Sequence, residues 1–385
     1  MARRSALRLA LLGGVLGYAA LALGNGLDRA AARNPALAGY VPGPLKAEAW
    51  RAESARALEA GNNSRAIETA RLAVLADPVD PRSAALLGAG HLAAREQVRA
   101  DGAFRIAARF GWRDPLTQLY FMNAALGAGQ PRLAALRLDA ILRQAPNFPV
   151  RDMLLAQFEG TAQGRAALAE RLALRPAWTF VFLNHTSQVP VGELRARAEI
   201  VGAMQPVWGC DAVAPLVTAL VLKQAVPDAR RLWQAQCPAA APGLADSHFA
   251  AIPKSRTPVA FEWNLFGSGN VATRVSGSGS GLLAQASGPS AEPIAWQALV
   301  LSPGRYRIGW SATTDGATAA PGTGVSLGCN FSETRQLEAT PVAGRPGRFE
   351  ALAEIDGSCA ARYLVLWLRP GTAEVRFDDL AVTPA

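Results

Sequence analysis

Pro81, Pro115 and Pro149 stand 34 residues apart, and Asp80 and Asp114 precede the first two. No other feature constrains the fold as strongly, because a fixed period of this length marks stacked supersecondary units. Residues 47–80, 81–114 and 115–148 align as three such units. Ala66, Ala100 and Ala134 fall in register in the second half of each. Ala70, Phe104 and Leu138 follow four residues later. Leu87-Gly88 in the second unit sits where a packed leucine and a close-contact glycine belong, and Trp50 opens the first unit's helical pattern. Gly61-Asn62 and Gly129-Gln130 supply turns between paired helices. Small alanines at fixed spacing let neighbouring helices approach, and stacking buries the face that each unit would expose alone.

These landmarks resemble the tetratricopeptide repeat, a helix–turn–helix unit of this length, although no single unit carries them all. The resemblance spans residues 47–176, with a shortened fourth unit closed by Pro176. It implies an α-solenoid whose concave surface binds a protein partner, and it implies no chemistry. Further helical segments near 190–205, 211–222 and 225–236 are expected to form a cap over residues 177–250. His91 is read as a packed or surface residue, and His185 and His248 have no acidic or serine partner at useful spacing.

The first eight residues are basic, and an uncharged run from Leu9 to Leu27 follows. A membrane-spanning helix needs about 20 apolar residues and a signal-peptide core roughly 7–15. Residues 1–28 are therefore expected to be a single inner-membrane anchor with its basic end in the cytoplasm. Ala20-Leu21-Ala22 offers a cleavage pattern as the alternative, which would release the chain into the periplasm. Either outcome exports the remainder. The cysteines agree, since four permit three pairings. The sequential one, Cys210–Cys237 and Cys329–Cys359, keeps each bridge within one domain, with four buried thiols as the alternative.

Only three of the 39 basic residues are lysine, an Arg- and Ala-rich bias expected of a GC-rich bacterial gene. Residues 1–254 carry a net +10 against −1 for 255–385, and their arginines are spread singly or in pairs along helices. Nucleic-acid binding needs a basic stripe interleaved with aromatics, so no nucleic-acid partner is expected. Three histidines and four cysteines leave little for a zinc ribbon, an iron–sulfur cluster or a haem; neither cofactor nor metal is expected.

From Pro253–Pro258 onward, short β-rich runs replace helical periodicity. Candidate strands cover 259–266, 270–275, 281–286, 294–301, 305–312, 324–330, 348–355, 362–369 and 374–382. Many short strands in about 130 residues argue for an antiparallel β-sandwich over 255–385. The runs Phe261-Glu262-Trp263, Leu301–Tyr306 and Val375–Leu380 resemble bacterial carbohydrate-binding modules of the jelly-roll type. That resemblance implies polysaccharide as a second partner, bound by aromatic faces on which sugar C–H groups stack. Trp263 and Trp296, flanked by Glu262, Asn264 and Gln297, are the candidate platforms; Trp310 and Trp367 are assigned to the core. Asp378-Asp379 is read as a turn-proximal acidic pair, with a structural calcium as the alternative. Gly267-Ser268-Gly269 and the Ser/Gly alternation over 276–281 are hairpins or loops, because no Lys-Ser or Lys-Thr helix follows.

The whole reads as a multidomain α + β chain: membrane helix, α-solenoid, then sandwich. The expected role is a membrane-anchored, periplasm-facing scaffold in envelope or exopolysaccharide assembly or export, and not an enzyme. The alternatives are a purely protein-binding scaffold with a structural sandwich, and a polysaccharide-modifying enzyme needing two converging carboxylates.

Overall fold

A computed structural model of the chain describes residues 2–237, 243–267, 269–277, 280–314, 318–320, 322–330, 333–371 and 373–385. Ser268, Ser278, Gly279 and residues 238–242, named above within loops and the cap, lie outside the described residues. The chain divides into two compact units, one of Met1–Phe158 with Pro176–Trp178, the other of Glu159–Arg175 with Thr179–Ala385.

The first unit is helical. Helix α1 (Ala2–Arg33) is long and apolar enough to cross a membrane, with Leu12, Leu16, Leu21 and Leu23 exposed. Six helices then form three hairpins: α2 (Ala47–Glu59) with α3 (Asn63–Ala76), α4 (Pro81–Ala93) with α5 (Gln97–Ala108), and α6 (Pro115–Gly127) with α7 (Pro131–Gln144). The helix starts recur at 34-residue intervals in both members of the pair. Asp80 and Asp114 explain the punctuation: each carboxylate accepts a backbone N–H of the first turn, from Arg82 at 2.9 Å and from Thr117 at 2.7 Å. Proline fits beside them because its missing N–H lies among the helix's unbonded donors.

Ala66, Ala100 and Ala134 are all fully buried, and Leu138 and Phe104 pack beneath them. Gly88 is required by contact, since a Cβ there would lie 2.8 Å from the Phe104 ring. The turns fall at equivalent places in left-handed backbone, at Gly61 (φ 72°), Arg95 (φ 63°) and Gly129 (φ 66°). Arg51, 6% exposed, joins the first two hairpins by pairing with Glu48 at 2.8 Å and bonding the Ser83 hydroxyl at 3.0 Å. His91 is buried, with Nδ1 2.6 Å from Glu96 Oε2. Short 3₁₀ turns (Pro35–Tyr40 and Gly43–Leu45) lead from α1 into α2. Helix α8 (Arg151–Glu159) ends the array.

The second unit holds α9 (Ala162–Leu172), α10 (Thr179–Asn184), α11 (Val191–Gly202), α12 (Cys210–Leu222) and α13 (Val226–Gln236), followed by the β region. A buried ion pair, Arg197 of α11 to Glu159 at 2.8 Å, sets its guanidinium 4.8 Å above Phe182 of α10. Cys210 and Cys237 form a disulfide joining the start of α12 to the end of α13.

Among the described residues twelve strands follow: β1 (Asn264–Leu265), β2 (Val271–Val275), β3 (Leu282–Ala286), β4 (Glu292–Leu299), β5 (Gly304–Thr314), β6 (Thr318–Ala319), β7 (Thr323–Gly328), β8 (Arg335–Gln336), β9 (Thr340–Pro341), β10 (Arg348–Ile355), β11 (Arg362–Leu368) and β12 (Val375–Pro384). They pair antiparallel in two sheets, ordered β1-β4-β11-β7-β8 and β2-β3-β12-β5-β10-β9, with β6 on β5. The sheets make a sandwich, not a closed barrel. Its core contains Trp310, Phe377, Ile308, Leu364 and Leu366. The second disulfide, Cys329–Cys359, ties the end of β7 to the turn before β11.

The expected first strand, 259–266, is mostly irregular. Only two residues pair, because Glu262 closes a turn by accepting the Val259 amide at 2.9 Å. Upstream, residues 244–252 already belong to the sandwich: Phe249 is fully buried in its core, and Leu244 and Ile252 pack against it. The Leu380 amide donates to Ser247 O at 2.9 Å, and the Gly281 amide to His248 O at 2.6 Å.

Candidate functional site

The site is built by strand alternation on β11. Its sequence, Arg-Tyr-Leu-Val-Leu-Trp-Leu, is apolar on both faces, as suits a strand bonded to neighbours on each side. Leu364, Leu366 and Leu368 face the core. Tyr363, Val365 and Trp367 therefore lie on the opposite face, where Val365 is fully buried and the two aromatic side chains are partly buried. Register carries the same face across the sheet: Val365 lies opposite Trp296 of β4 and opposite Ser326 of β7, while Trp367 lies opposite Gly324.

This face bears three partly buried aromatic side chains, Trp296, Tyr363 and Trp367. The Trp296 and Tyr363 ring centroids are 5.5 Å apart with planes inclined by 39°. Trp367 Nε1 donates to Ser326 Oγ at 2.6 Å, which fixes the indole's orientation. Tyr363 and Trp367 are four residues apart along one strand, a span of about 13 Å. Burial pushes the Tyr363 phenol above its ordinary value, so it stays a neutral donor at physiological pH. Gly324 keeps the flank of Trp367 open, for a Cβ there would meet nothing within 4 Å. Gln336, exposed on β8, pairs with Ser326 and sets an amide at the edge of the group. An antiparallel sheet normally turns polar residues outward, so an aromatic group here is a departure that calls for a ligand or a cover.

Of the two tryptophans singled out by sequence, Trp296 belongs to this face and Trp263 does not. Trp263 is 1% exposed, its ring 4.8 Å from Phe249 and its Nε1 donating to Asp246 O at 2.9 Å. No sugar can reach it. Its polar neighbours serve the local turn: Glu262 pairs with Arg256 at 2.6 Å, and the Asn264 amide bonds Val259 O at 3.0 Å. Gln297 is likewise internal, fully buried and bonded to both the amide and the carbonyl of Ala245, at 2.8 and 3.1 Å. Trp310 is core, as its alternation indicates. Trp367, assigned to the core by its apolar surroundings, faces outward instead. Tyr363 was missed for the same reason, and the pairing of β11 with strands on both sides is what identifies the two.

Several charged groups of the sandwich are paired structurally. His248 Nδ1 lies 2.8 Å from Asp378 Oδ1, and that contact raises the imidazole pKa above its ordinary value. Partial burial pushes Asp378 upward, yet bonds from His248, the Asp379 amide and Arg376 leave it net below the usual carboxylate range. Asp379 pairs with Arg348. Among the described residues no group of three or more His, Cys, Asp or Glu is placed to hold a metal ion.

In the helical array a largely apolar groove of about 380 Å³ is lined by Ala89 and Leu92 of α4, Phe104 of α5, and Leu116, Leu119 and Tyr120 of α6. Tyr120 stacks on Phe104 at 4.2 Å and accepts from the Gln97 amide at 3.1 Å.

No known protein-family model matches the chain, and a search of curated proteins gives no match. Among solved structures, the carbohydrate-binding module TmCBM61 in complex with β-1,4-galactotriose aligns with 36% of this chain and 95% of its own, at 11% identity and a TM-score of 0.25. The enzymatically active domain of bacteriophage CBA120 tailspike protein 4 aligns with 36% of this chain and 20% of its own, at 12% identity and a TM-score of 0.24. At these values neither likeness bears on function.

Proposed function

We propose that the chain is a membrane-anchored, periplasm-facing scaffold that binds glycan through the outer face of its five-stranded sheet and a protein partner through its helical repeats, in envelope or exopolysaccharide assembly. The Trp296–Tyr363–Trp367 group carries the glycan half. Planar rings on a rigid sheet offer apolar faces to sugar C–H groups, and the Tyr363 hydroxyl and Gln336 amide beside them suit sugar hydroxyls. The repeats, read as tetratricopeptide-like, carry the partner half through the groove between α4 and α6. Two disulfides suit an oxidising compartment. The reading includes no catalysis.

The test is binding of the full chain, in detergent or nanodiscs, to an array of bacterial polysaccharides, followed by tryptophan fluorescence titration. Saturable binding is expected, weakened about fivefold by Trp367→Ala, since one stacked ring contributes on the order of 1 kcal/mol. Gly324→Arg fills the open flank without touching the core and should weaken binding comparably. Binding that neither substitution alters, or no binding to any glycan, would overturn the glycan half. The groove would then favour the purely protein-binding scaffold. Release of reducing ends on incubation would reopen the enzymatic reading.

A further inference from the structure

Helix α1 does not stop where its apolar run stops. The run ends at Leu27, yet the helix continues to Arg33, and its last turns are part of the first hairpin. Asp28, 4% exposed, accepts the Glu48 amide at 2.7 Å and the Ala49 amide at 2.8 Å, capping the start of α2. Ala31 is fully buried against Val41 and Ala49. Gly24 lies so close to Leu45 that a Cβ would fall 2.5 Å from its terminal carbon. One side of the helix end is thus fixed on the array.

The opposite side carries Arg29 and Arg33. Both are exposed, they lie one turn apart on the same face, and neither forms an ion pair among the described residues. The neighbouring acid cannot neutralise them, because Asp28 is turned inward onto α2. Their depth follows from helix geometry. At about 1.5 Å per residue the run from Leu9 to Leu27 spans about 28 Å, close to the ~30 Å hydrocarbon core. Arg29 then sits about 3 Å beyond the core, inside a headgroup layer ~5–8 Å deep, and Arg33 about 9 Å beyond the core, at that layer's outer edge. Tyr40, 76% exposed at the end of the turn that follows α1, adds the kind of amphipathic ring enriched at that level.

We infer that Arg29 and Arg33 form a binding site for anionic phospholipid headgroups on the exported side of the membrane. Two guanidiniums one turn apart can each donate a forked pair of bonds to phosphate oxygens. This inference rests on α1 spanning the bilayer, which the same experiment examines separately.

The full chain would be reconstituted in nanodiscs of phosphatidylcholine with phosphatidylglycerol, released into the gas phase, and the lipids retained on it counted by native mass spectrometry. Phosphatidylglycerol should be retained preferentially. Each basic residue at an anionic surface is worth about fivefold, so Arg29→Gln with Arg33→Gln should lower the preference about 25-fold. Lys223→Gln, on α12's exposed C-terminal end, should leave it unchanged. Equal retention of the two lipids, or a preference that survives the double substitution, would overturn the inference with the anchor intact. A chain that stays out of nanodiscs and washes off membranes at alkaline pH would overturn the anchor, and the headgroup site with it.

Discussion

Gln297→Leu removes two buried hydrogen bonds with little change of volume. The side chain is fully buried, and both ends of its amide engage Ala245, as acceptor at 2.8 Å and donor at 3.1 Å. Leucine fills a similar volume and makes neither bond. Each lost neutral bond is worth about 1 kcal/mol, and the half-buried amide and carbonyl of Ala245 regain water incompletely, so the total is about 2–3 kcal/mol. For a folding unit of this size, 1 kcal/mol moves the melting midpoint by roughly 2–4 °C, which predicts a fall of about 5–10 °C. Scanning calorimetry of the full chain should show one unit melting earlier and the other unmoved. Hydrogen exchange supplies the local readout. Freed of its clamp, the 244–252 segment should loosen, and the amides of Leu380 and Gly281, which donate to Ser247 and His248, should lose protection. Gln297→Glu should cost more, because it buries a carboxylate beside a carbonyl oxygen. An unchanged midpoint with unchanged protection at Leu380 and Gly281 would refute the claim that this amide holds the segment in the sandwich.

Other outcomes follow from the same geometry. Glu159→Gln should destabilise the second unit by about 3–5 kcal/mol, since it strands the buried Arg197 charge, as chemical denaturation would measure. Arg95→Gly should stabilise the array by about 1 kcal/mol, because the left-handed turn at Arg95 stands where Gly61 and Gly129 serve the other hairpins; a lower midpoint would contradict this. Cys210→Ser with Cys237→Ser should cost about 3–4 kcal/mol of loop-closure entropy for a separation of 27 residues, read from thermal melts with and without reductant. The His248–Asp378 contact should be most stabilising between the two groups' transitions. Protonation of Asp378 removes it in acid, and deprotonation of His248, whose folded pKa lies above the unfolded one, removes it as pH rises; Asp378→Asn should lower the His248 titration in NMR toward its ordinary value.

The helical array was legible because its punctuation is local. Asp80-Pro81 and Asp114-Pro115 each combine a cap with a residue suited to the first turn, and the alanines recur where helices touch. The strands were legible from their turns, and Trp310 from alternation with Tyr306 and Ile308. The aromatic face was not. β11 is bonded on both sides and apolar on both faces, so its alternation vanishes into a continuous run, and only pairing with β4 and β7 assigns Trp367 to the outside. Trp263 misled for the converse reason. The polar residues beside it suggest exposure, but Glu262 and Asn264 hold a turn, and Gln297 holds a backbone segment distant in sequence. Phe249 gave no signal, because one buried ring in an irregular stretch has no period to betray it.

The Asp28 cap has a mechanical consequence. A flexible linker between a long apolar helix and the array that follows it would work as a universal joint. Here the joint is welded: the carboxylate of the emerging helix closes the first turn of α2, and Ala31 is sunk beneath it. The hairpins cannot swivel about α1, so any tilt or torque applied to that helix is delivered to the first hairpin undamped.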